Sequence, residues 1–294
     1  MNKKDLLLKK LNELKESNQE NIFHRKAYQQ VINNIKLYKK EINCLEDISD
    51  IDGIGKKIKQ QIKAILETED IKIEENIFSK LIKIYGVGEK KANKLIKSYK
   101  IKSLEDLKNK VKENENILNE NQKLGLKYYD DFLDRIPYSE MLIHQKILDI
   151  PKDKGEIVGS FRRQEASSGD IDVMLLISKE EFHMYVEYLK NINYLKHILA
   201  YGDKKMLGIC SLGDNYKKRR IDIIRTDEES YAFMLLYFTG SAEFNIKMRR
   251  KALEKGYSLN EYGFTPKVKN IKAEEDIFKF LDLEYIFPKD RKLN

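Results

Sequence analysis

The feature that most constrains this chain is the stretch GSFRRQEASSGDIDVMLL at residues 159–176. Its second half is typical of a β-strand, and side chains two residues apart on a strand point to the same face. Asp170 and Asp172 therefore project together, and two adjacent carboxylates resist burial unless a cation compensates their charge. Mg²⁺ prefers such oxygen ligands and takes phosphate oxygens as further ligands. The alternative is a surface Asp-x-Asp on an edge strand.

A third carboxylate and a phosphate-binding turn favour the cation site. Asp222, within RRIDII, falls on another predicted strand, and three carboxylates suffice for two cations about 3.5–4 Å apart, as in in-line phosphoryl displacement. Gly159 and Ser160 end one predicted strand and begin a predicted helix, whose free backbone N–H groups bind phosphate. The Ser160 hydroxyl and the Arg163 guanidinium add donors. Together these residues predict a site for a nucleoside triphosphate.

The rest of the chain shows two textures. Residues 1–137 have helical periodicity almost throughout, whereas short β-branched runs beyond them predict a sheet with helices on it. Two Gly-x-Gly turns, DGIG and YGVG, each precede a Lys-rich amphipathic helix. The final part is helical and aromatic again. The predicted fold class is therefore α+β and multidomain, with segments 1–75, 76–137, 138–228 and 229–294.

The charge distribution points to a polyanionic partner. The net charge is +8 and falls mainly on residues 76–137, which favours nucleic acid, with simple solubility as the alternative. No apolar run reaches the roughly 20 residues of a membrane span. Cys44 and Cys210 lie far apart with no histidine pair at ligand spacing, so we expect two buried thiols and no zinc site. These patterns predict an intracellular protein without a membrane partner.

The motif G-S-x10-D-x-D is similar to that of the nucleotidyltransferase superfamily. GSFRR and SSGDIDV, with LKYYDDFLDRIP, YFTGSAEFN and ALEKGYSLNEYGF, resemble the family X DNA polymerases over nearly the whole chain. The resemblance implies a helical lyase-like domain at 1–75 and a DNA-binding, thumb-type subdomain at 76–137. It also implies a catalytic palm at 138–228 and a nucleotide-selecting fingers subdomain at 229–294. The two Gly-x-Gly turns then become helix-hairpin-helix elements.

The resemblance assigns roles in the palm and fingers. Asp170, Asp172 and Asp222 would ligate two Mg²⁺ ions, for which Mn²⁺ can substitute. Asp222 would also accept the proton of the primer 3′-hydroxyl, and Arg249 would contact the template strand. The residues implied in dNTP binding are Arg135, Ser160, Arg163, Gly169, Tyr237, Phe238, Gly240 and Asn245.

Further roles fall on residues 1–137. Backbone carbonyls of the hairpins would hold Na⁺ or K⁺, and these are the carbonyls of Ser49, Ile51, Ile54, Ile82, Ile84 and Val87. Tyr28 and Lys57 match contacts to a DNA 5′-phosphate. The lyase nucleophile of the family is a lysine that forms a Schiff base, and Gln61 stands in its place. Lys57, one helical turn away, is the candidate substitute, so the resemblance predicts a weak or altered 5′-deoxyribose phosphate lyase.

The predicted function is template-directed DNA synthesis in short gaps during base excision repair. The predicted partners are dNTPs and gapped or nicked DNA with a 5′-phosphate, bound by a monomer in the nucleus or cytoplasm, or in a viral factory if the source is viral. The resemblance implies that Ala242 and Ile246 replace family residues near the nascent pair and that Ile224 replaces an arginine that helps gate opening and closing, and these changes predict weaker discrimination. The alternatives are a template-independent terminal nucleotidyltransferase and a non-catalytic DNA-end-binding protein.

Overall fold

The computed structural model describes residues 3–17, 22–38, 40–68 and 76–291. They fall into two compact units, Met1–Leu126 and Lys127–Asn294. The boundary predicted at residue 75 lies outside the described residues, and the four-segment division remains a prediction. Within the described ranges, no helix is both long enough and apolar enough to cross a bilayer.

The first unit is helical, as its periodicity predicts. Leu7, Leu11 and Leu14 lie on one face of the first helix and are buried against the two helices that follow. Cys44 was predicted to be buried, and this was wrong, because it lies exposed in the irregular segment before a 3₁₀ turn at Glu46–Ile48. The helices are α1 (Lys3–Ser17), α2 (Ile22–Leu37), α3 (Lys56–Thr68), α4 (Ile77–Ile82), α5 (Glu89–Lys97), α6 (Leu104–Glu113) and α7 (Glu120–Lys127).

The two Gly-x-Gly turns lead directly into α3 and α5, as predicted. Gly53 has φ +87° and Gly86 has φ +80°, a region that side chains with a Cβ adopt only at a cost. A Cβ on Gly86 would also come within 3.2 Å of Gln122 Cγ. The first glycine of each turn therefore has a conformational reason to be glycine.

The second unit is mixed α and β. Its helices are α8 (Tyr129–Leu133), α9 (Tyr138–Leu148), α10 (Gly159–Arg162), α11 (Lys179–Asn191), α12 (Glu228–Thr239), α13 (Ala242–Glu254) and α14 (Glu274–Phe280). Its strands are β1 (Ile136–Pro137), β2 (Gly155–Ile157), β3 (Ser167–Ser168), β4 (Ile171–Leu176), β5 (Leu195–Tyr201), β6 (Lys205–Cys210), β7 (Arg219–Thr226), β8 (Ser258–Asn260) and β9 (Gly263–Thr265).

A five-stranded sheet in the order β2-β4-β7-β6-β5 forms the centre of this unit. Strands β4 and β7 are parallel, and the other pairs are antiparallel. Inward-facing side chains of β4 and β7, with Phe182 and Val186 of α11, form the main core. The fold class is confirmed, and β2, β4, β7 and α11 lie where the sequence predicts them; β5 and β6 were not foreseen.

The C-terminal part of the unit packs around aromatic side chains of α12, α13 and α14. Ser241 begins α13, and its Oγ accepts a hydrogen bond from the Phe244 amide. Arg291 is fully buried near the chain's end and donates to Glu274 at 2.6 Å. This arrangement fixes α12 and α13 beside the strands that carry the aspartates.

Candidate active site

The three predicted carboxylates lie on or beside the parallel strands β4 and β7, inside the five-stranded sheet. Asp172 on β4 is paired in register with Asp222 on β7. Their strand neighbours Ile171 and Ile221 are fully buried in the core, so the alternation of the strands directs both carboxylates away from it. Asp170 immediately precedes β4. The sequence predicted a strand at Asp222, and the parallel register places that strand beside Asp172; a shared cation site remains a prediction.

The outer two carboxylates pair with basic side chains. Arg220 Nη2 lies 2.7 Å from Asp170 Oδ2, and Lys205 Nζ lies 2.9 Å from Asp222 Oδ2. Burial, followed by the charges of Asp170 and Asp222, raises the pKa of Asp172 to about 7. In the described part of the chain, no three acidic, histidine or cysteine side chains converge closely enough to hold a metal ion. Nevertheless the three carboxylates exceed their two cationic partners by one charge, and this donor set fits an added hard cation.

The phosphate-binding turn lies directly against one of these carboxylates. Gly159 begins α10 with φ +63°, and a Cβ on it would lie 2.5 Å from Asp172 Oδ2. Real Cβ atoms do not approach an oxygen that closely, so any side chain here would displace either the turn or the carboxylate. Gly159 thus permits the close approach of the predicted phosphate site to the predicted cation site.

Three polar side chains surround this turn. The Arg163 Nη1 donates to the Thr239 carbonyl at 2.5 Å, while its buried Nε makes no hydrogen bond within the described residues, although Glu165 Oε1 lies 3.5 Å away. Arg135 donates from Nε to Ser167 Oγ at 2.7 Å and from Nη2 to the Ser167 carbonyl at 2.6 Å. Ser160 is the second residue of α10. An unpaired buried guanidinium N–H suits an anionic ligand.

Residues of α12 and α13 form a further side of the site. The rings of Tyr237 and Phe238 meet edge to face with centroids 5.1 Å apart, and Gly240 ends α12 with φ +68°. Asn245 Nδ2 donates to the Tyr237 carbonyl at 2.7 Å, and the Arg249 guanidinium lies 5.4 Å from the centre of the Tyr237 ring. Asn245 and Arg249 thus share the helical face that their spacing predicts.

These groups border one open cleft of about 710 Å³. Of the predicted Mg²⁺ and dNTP ligands, only Asp222 does not line it. Asp222 is instead paired with Lys205. Ala242 and Ile246, predicted near the nascent base pair, also line the cleft, whereas Ile224 packs in an apolar cluster with Met174. The lining residues predicted from the sequence are Arg135, Gly159, Ser160, Arg163, Gly169, Asp170, Asp172, Tyr237, Phe238, Gly240, Asn245 and Arg249.

The predicted cation carbonyls lie at the hairpin turns of the first unit. Ser49 and Ile51 precede the first turn and Ile54 lies within it; Ile82 and Ile84 precede the second turn and Val87 lies within it. The Ile84 carbonyl already accepts a hydrogen bond from the Val87 amide at 2.9 Å. A monovalent ion at either turn remains a prediction.

At the position where the resemblance expects the lyase lysine, α3 carries the amide of Gln61. The Tyr28 hydroxyl donates to Gln61 Oε1 at 2.5 Å, and Tyr28 is almost completely buried. Burial raises the pKa of Tyr28, more than the hydrogen bond with Gln61 lowers it. Lys57 is exposed one turn earlier on α3. The roles implied for Tyr28 and Lys57 at a DNA 5′-phosphate remain predictions.

Sequence reasoning missed the basic partners of the carboxylates. Arg220 precedes Asp222 by two residues on the same strand, and this spacing places both side chains on one face. The spacing within RRIDII could therefore have predicted a basic side chain near the carboxylates. Lys205 is contributed by β6, which pairs with β7, and no local pattern identifies it.

Models of known protein families match the chain from one end to nearly the other. A helix-hairpin-helix domain matches residues 2–71, and a DNA polymerase lambda fingers domain matches residues 79–133. A DNA polymerase beta palm matches residues 135–228, and a DNA polymerase beta thumb matches residues 234–292. In these family descriptions, "fingers" denotes residues 79–133 and "thumb" denotes residues 234–292. The sequence analysis assigned the two names the other way round.

Curated relatives agree. The chain is 30% identical to DNA polymerase lambda of Rattus norvegicus, over 90% of this chain and 52% of that protein. It is 28% identical to DNA polymerase lambda of Arabidopsis thaliana, over 91% and 58% respectively. It is 27% identical to the DNA nucleotidylexotransferase of Xenopus laevis, over 85% and 60%. The chain therefore spans little more than half the length of the relatives it matches.

A carboxylate-bearing pair of strands beside a phosphate-binding turn defines the palm of a nucleotidyltransferase. The chain belongs to the family X DNA polymerases, and its domains resemble those of DNA polymerase beta. Enzymes of this family are metal-dependent nucleotidyltransferases that generally use Mg²⁺.

Proposed function

We propose that this protein is a template-directed DNA polymerase that adds dNTPs to a primer 3′-hydroxyl in short gaps, as base excision repair requires. The observation that carries the proposal is the cleft itself. Side chains from α10, β4, α12 and α13, which are separated by up to 90 residues along the chain, line one space beside the carboxylates. The side rich in hydrogen-bond donors suits the triphosphate of a nucleotide, and the aromatic side suits its sugar. The carboxylate side suits the reacting atoms.

The residues of the chain divide the chemical work. Arg135, Ser160 and Arg163 would bind the triphosphate and hold its α-phosphorus near the primer end. Such positioning accounts for much of the rate enhancement in phosphoryl transfer. Asp222 would accept the proton of the attacking 3′-hydroxyl. Asp170, Asp172 and Asp222 would hold two Mg²⁺ ions, which stabilise charge on the attacking and leaving oxygens when bound; Mn²⁺ would substitute.

The aromatic side would select the nucleotide. Tyr237 and Phe238 would pack against the deoxyribose and leave little room for a 2′-hydroxyl. Asn245 would contact the minor-groove edge of the incoming base and Arg249 the template strand; such contacts test pairing geometry more than sequence, because minor-groove acceptors are similar in all base pairs. Ala242 and Ile246 supply only apolar contact there, so we expect weaker discrimination than in relatives with polar groups.

The first unit would hold the DNA. Backbone N–H groups of the two hairpins face phosphates in a sequence-independent manner, with Na⁺ or K⁺ at the carbonyls of the same turns, so affinity should fall steeply with salt. Tyr28 and Lys57 would contact the 5′-phosphate of the gap. With Gln61 in place of the lyase lysine, any lyase activity is weak or proceeds through Lys57.

Single-turnover incorporation on a one-nucleotide gap with a 5′-phosphate tests the main proposal. We expect the dNTP complementary to the template base to be incorporated much faster than the other three, and the matching ribonucleotide to be incorporated slowly. Equal rates for all four dNTPs, or no incorporation with either Mg²⁺ or Mn²⁺, would contradict the proposal.

Template-independent addition is the second candidate, because the chain is also 27% identical to a nucleotidylexotransferase. Extension of the same primer with and without a template strand distinguishes templated from template-independent addition. Arg249 lines the cleft from α13, where a template contact is expected, and this favours the templated reaction. Arg249→Ala should therefore slow templated extension more than any extension of the single strand.

A further inference from the structure

A buried ion pair lies behind the cleft and plays no part in the mechanism described above. Arg219, the first residue of β7, is only 3% exposed. Its Nε and Nη2 donate to the two carboxylate oxygens of Glu140 on α9, at 2.7 and 2.9 Å. This two-point geometry fixes the plane of the guanidinium, which a single contact would not do.

The same guanidinium also holds a distant piece of backbone. Arg219 Nη1 donates to the Asp134 carbonyl at 2.7 Å and to the Asp131 carbonyl at 3.3 Å. These carbonyls lie at the end of α8, about 85 residues earlier in the chain. One side chain therefore connects three elements: β7, α9 and the segment that leaves α8.

The segment that leaves α8 carries a predicted triphosphate ligand. Arg135 follows Asp134 directly, lines the cleft and donates to Ser167. Residues 136–137 then form β1, which pairs with β3 immediately before Asp170. The peptide that Arg219 holds thus leads straight into both the phosphate side and the carboxylate side of the cleft.

The surroundings of the pair make it rigid. Burial alone would raise the pKa of Glu140, but the hydrogen bonds and charge of Arg219 hold that pKa below its usual value. His144 Nε2 lies 3.6 Å from Glu140 Oε1, and its Nδ1 is 2.7 Å from the Tyr194 hydroxyl. Separating the partners of a buried pair leaves each charge uncompensated, so conformations in which Glu140 and Arg219 move apart are disfavoured.

We propose that Glu140 and Arg219 are positioning residues that set the reach of Arg135 into the cleft relative to Asp222 on β7. This inference rests on the proposed function, because it assigns Arg135 to the triphosphate. Neither residue lines the cleft, so their effect on the substrate passes through Arg135. Loss of the pair should then weaken triphosphate binding more than it slows the chemical step, because Ser160 and Arg163 would still hold the α-phosphorus near the primer end.

The test measures kcat and KM for the correct dNTP on a one-nucleotide gap. Glu140→Gln and Arg219→Lys should each raise KM about tenfold, the effect of misplacing one charged phosphate donor, and change kcat less than about threefold. Lys217→Ala is the matched control, since Lys217 contacts the Asp134 side chain at 2.7 Å from the half-exposed surface. It should change KM less than about twofold.

A double-variant cycle with Arg135→Ala separates positioning from general loosening. If the pair acts through Arg135, then Glu140→Gln adds nothing to the KM of Arg135→Ala. Effects that multiply, or a fall in kcat alone, would overturn the inference. Thermal melts identify any variant that has unfolded. If Arg219→Lys is unfolded, the KM of Glu140→Gln, the milder change, tests the positioning role.

Equilibrium binding of dATP with Mg²⁺ keeps the two proposals distinct. If the wild-type protein extends no primer, the proposed function fails, while the cycle can still be read from dATP affinity. A Glu140→Gln protein that binds dATP as tightly as the wild type would overturn the positioning role in either case.

Discussion

The cleft of the second unit and the Tyr28–Gln61 pair of the first unit differ in how much of the predicted chemistry the sequence carries. In the cleft, Asp170, Asp172 and every predicted dNTP ligand border one space, and Asp222 is paired in register with Asp172. In the first unit, Tyr28 is buried and hydrogen-bonded, yet its partner is the amide of Gln61. An amide nitrogen cannot form an imine with a sugar aldehyde.

This difference separates the binding groups of a site from its reactive group. The Tyr28–Gln61 contact is present and Lys57 is exposed, so the resemblance predicts recognition of a 5′-phosphate without the lysine that would form the imine. The cleft allows no such separation, because its carboxylates would serve binding and reaction together. Substitutions at Asp222 and Gln61 test the two sides of this comparison directly, and substitutions at His144 and Gly86 test the stability of the two units that carry them.

The largest effect is expected from Asp222→Asn. The amide keeps the shape of the side chain but can neither contribute charge to a cation nor accept the primer proton, so extension should fall by about a thousandfold or more. Single-turnover extension measures this, and gapped-DNA affinity should change less than about threefold. Asp203→Asn, at an exposed palm carboxylate paired with Lys179, is the control. Normal extension by Asp222→Asn would remove that residue from the site.

Gln61→Lys should restore the missing reactive group. Borohydride trapping on a pre-incised abasic site should rise about tenfold or more over the wild-type level, because an amine now lies beside Tyr28. Gln60→Lys, which adds the same amine on the exposed side of α3, should not raise trapping. Strong trapping by the wild type that survives Lys57→Ala would instead exclude Lys57 as the substitute.

His144 gives the second unit a pH-dependent stability. Burial lowers the pKa of His144 to about 4, so the folded state disfavours its protonation. The unfolded state takes up this proton below about pH 6.5, and the stability held by neutral His144 above that pH is lost as the pH falls towards 4. Between pH 7.5 and 5 the loss should be about 2 kcal/mol.

Urea unfolding of wild type and His144→Gln at both pH values measures this loss. The glutamine can still hydrogen-bond to Tyr194 but does not titrate. The destabilisation caused by the substitution should therefore shrink at pH 5. An equal difference between the two proteins at both pH values would show that His144 does not titrate as described.

The smallest effect concerns the second hairpin. Gly86→Ala should destabilise the first unit by about 1 kcal/mol, because its positive φ is costly for alanine and Gln122 must move. Gly88→Ala is the matched control, since that residue has φ −85° and open space around it. It should cost less than Gly86→Ala, because the one penalty expected is the weaker preference for alanine at the N-cap of α5. Thermal unfolding compares them, and equal melting temperatures would contradict a strained turn at Gly86.

Most of the cleft was predictable because its chemistry lies in short patterns. The period of a strand places Asp170 and Asp172 together, and helical spacing places Asn245 beside Arg249. The family resemblance supplied the remaining cleft residues, including Tyr237 and Phe238, from local motifs. Local signals of this kind survive in a single sequence.

The remainder depended on contacts between distant parts of the chain. Arg219 and Asp134 are far apart in sequence, and no periodicity indicates that one holds the backbone of the other. Lys205 reaches Asp222 only through the pairing of β6 with β7, and β6 itself was not predicted. Cys44 was expected to be buried by residue type alone, but it lies in an irregular segment without a packing face.

The pairing of Asp172 with Asp222 also bears on how the sheet selects its register during folding. Asp222 lies between Ile221 and Ile223, both fully buried. If β7 slipped by one residue against β4, the carboxylate would enter the apolar core and both isoleucines would leave it. Burying an unpaired carboxylate is costly, so mispaired sheets are disfavoured by the residues that would bind the cation. Any uncharged substitution at Asp222 weakens that discrimination, and an inactive variant should also be examined for a shifted strand.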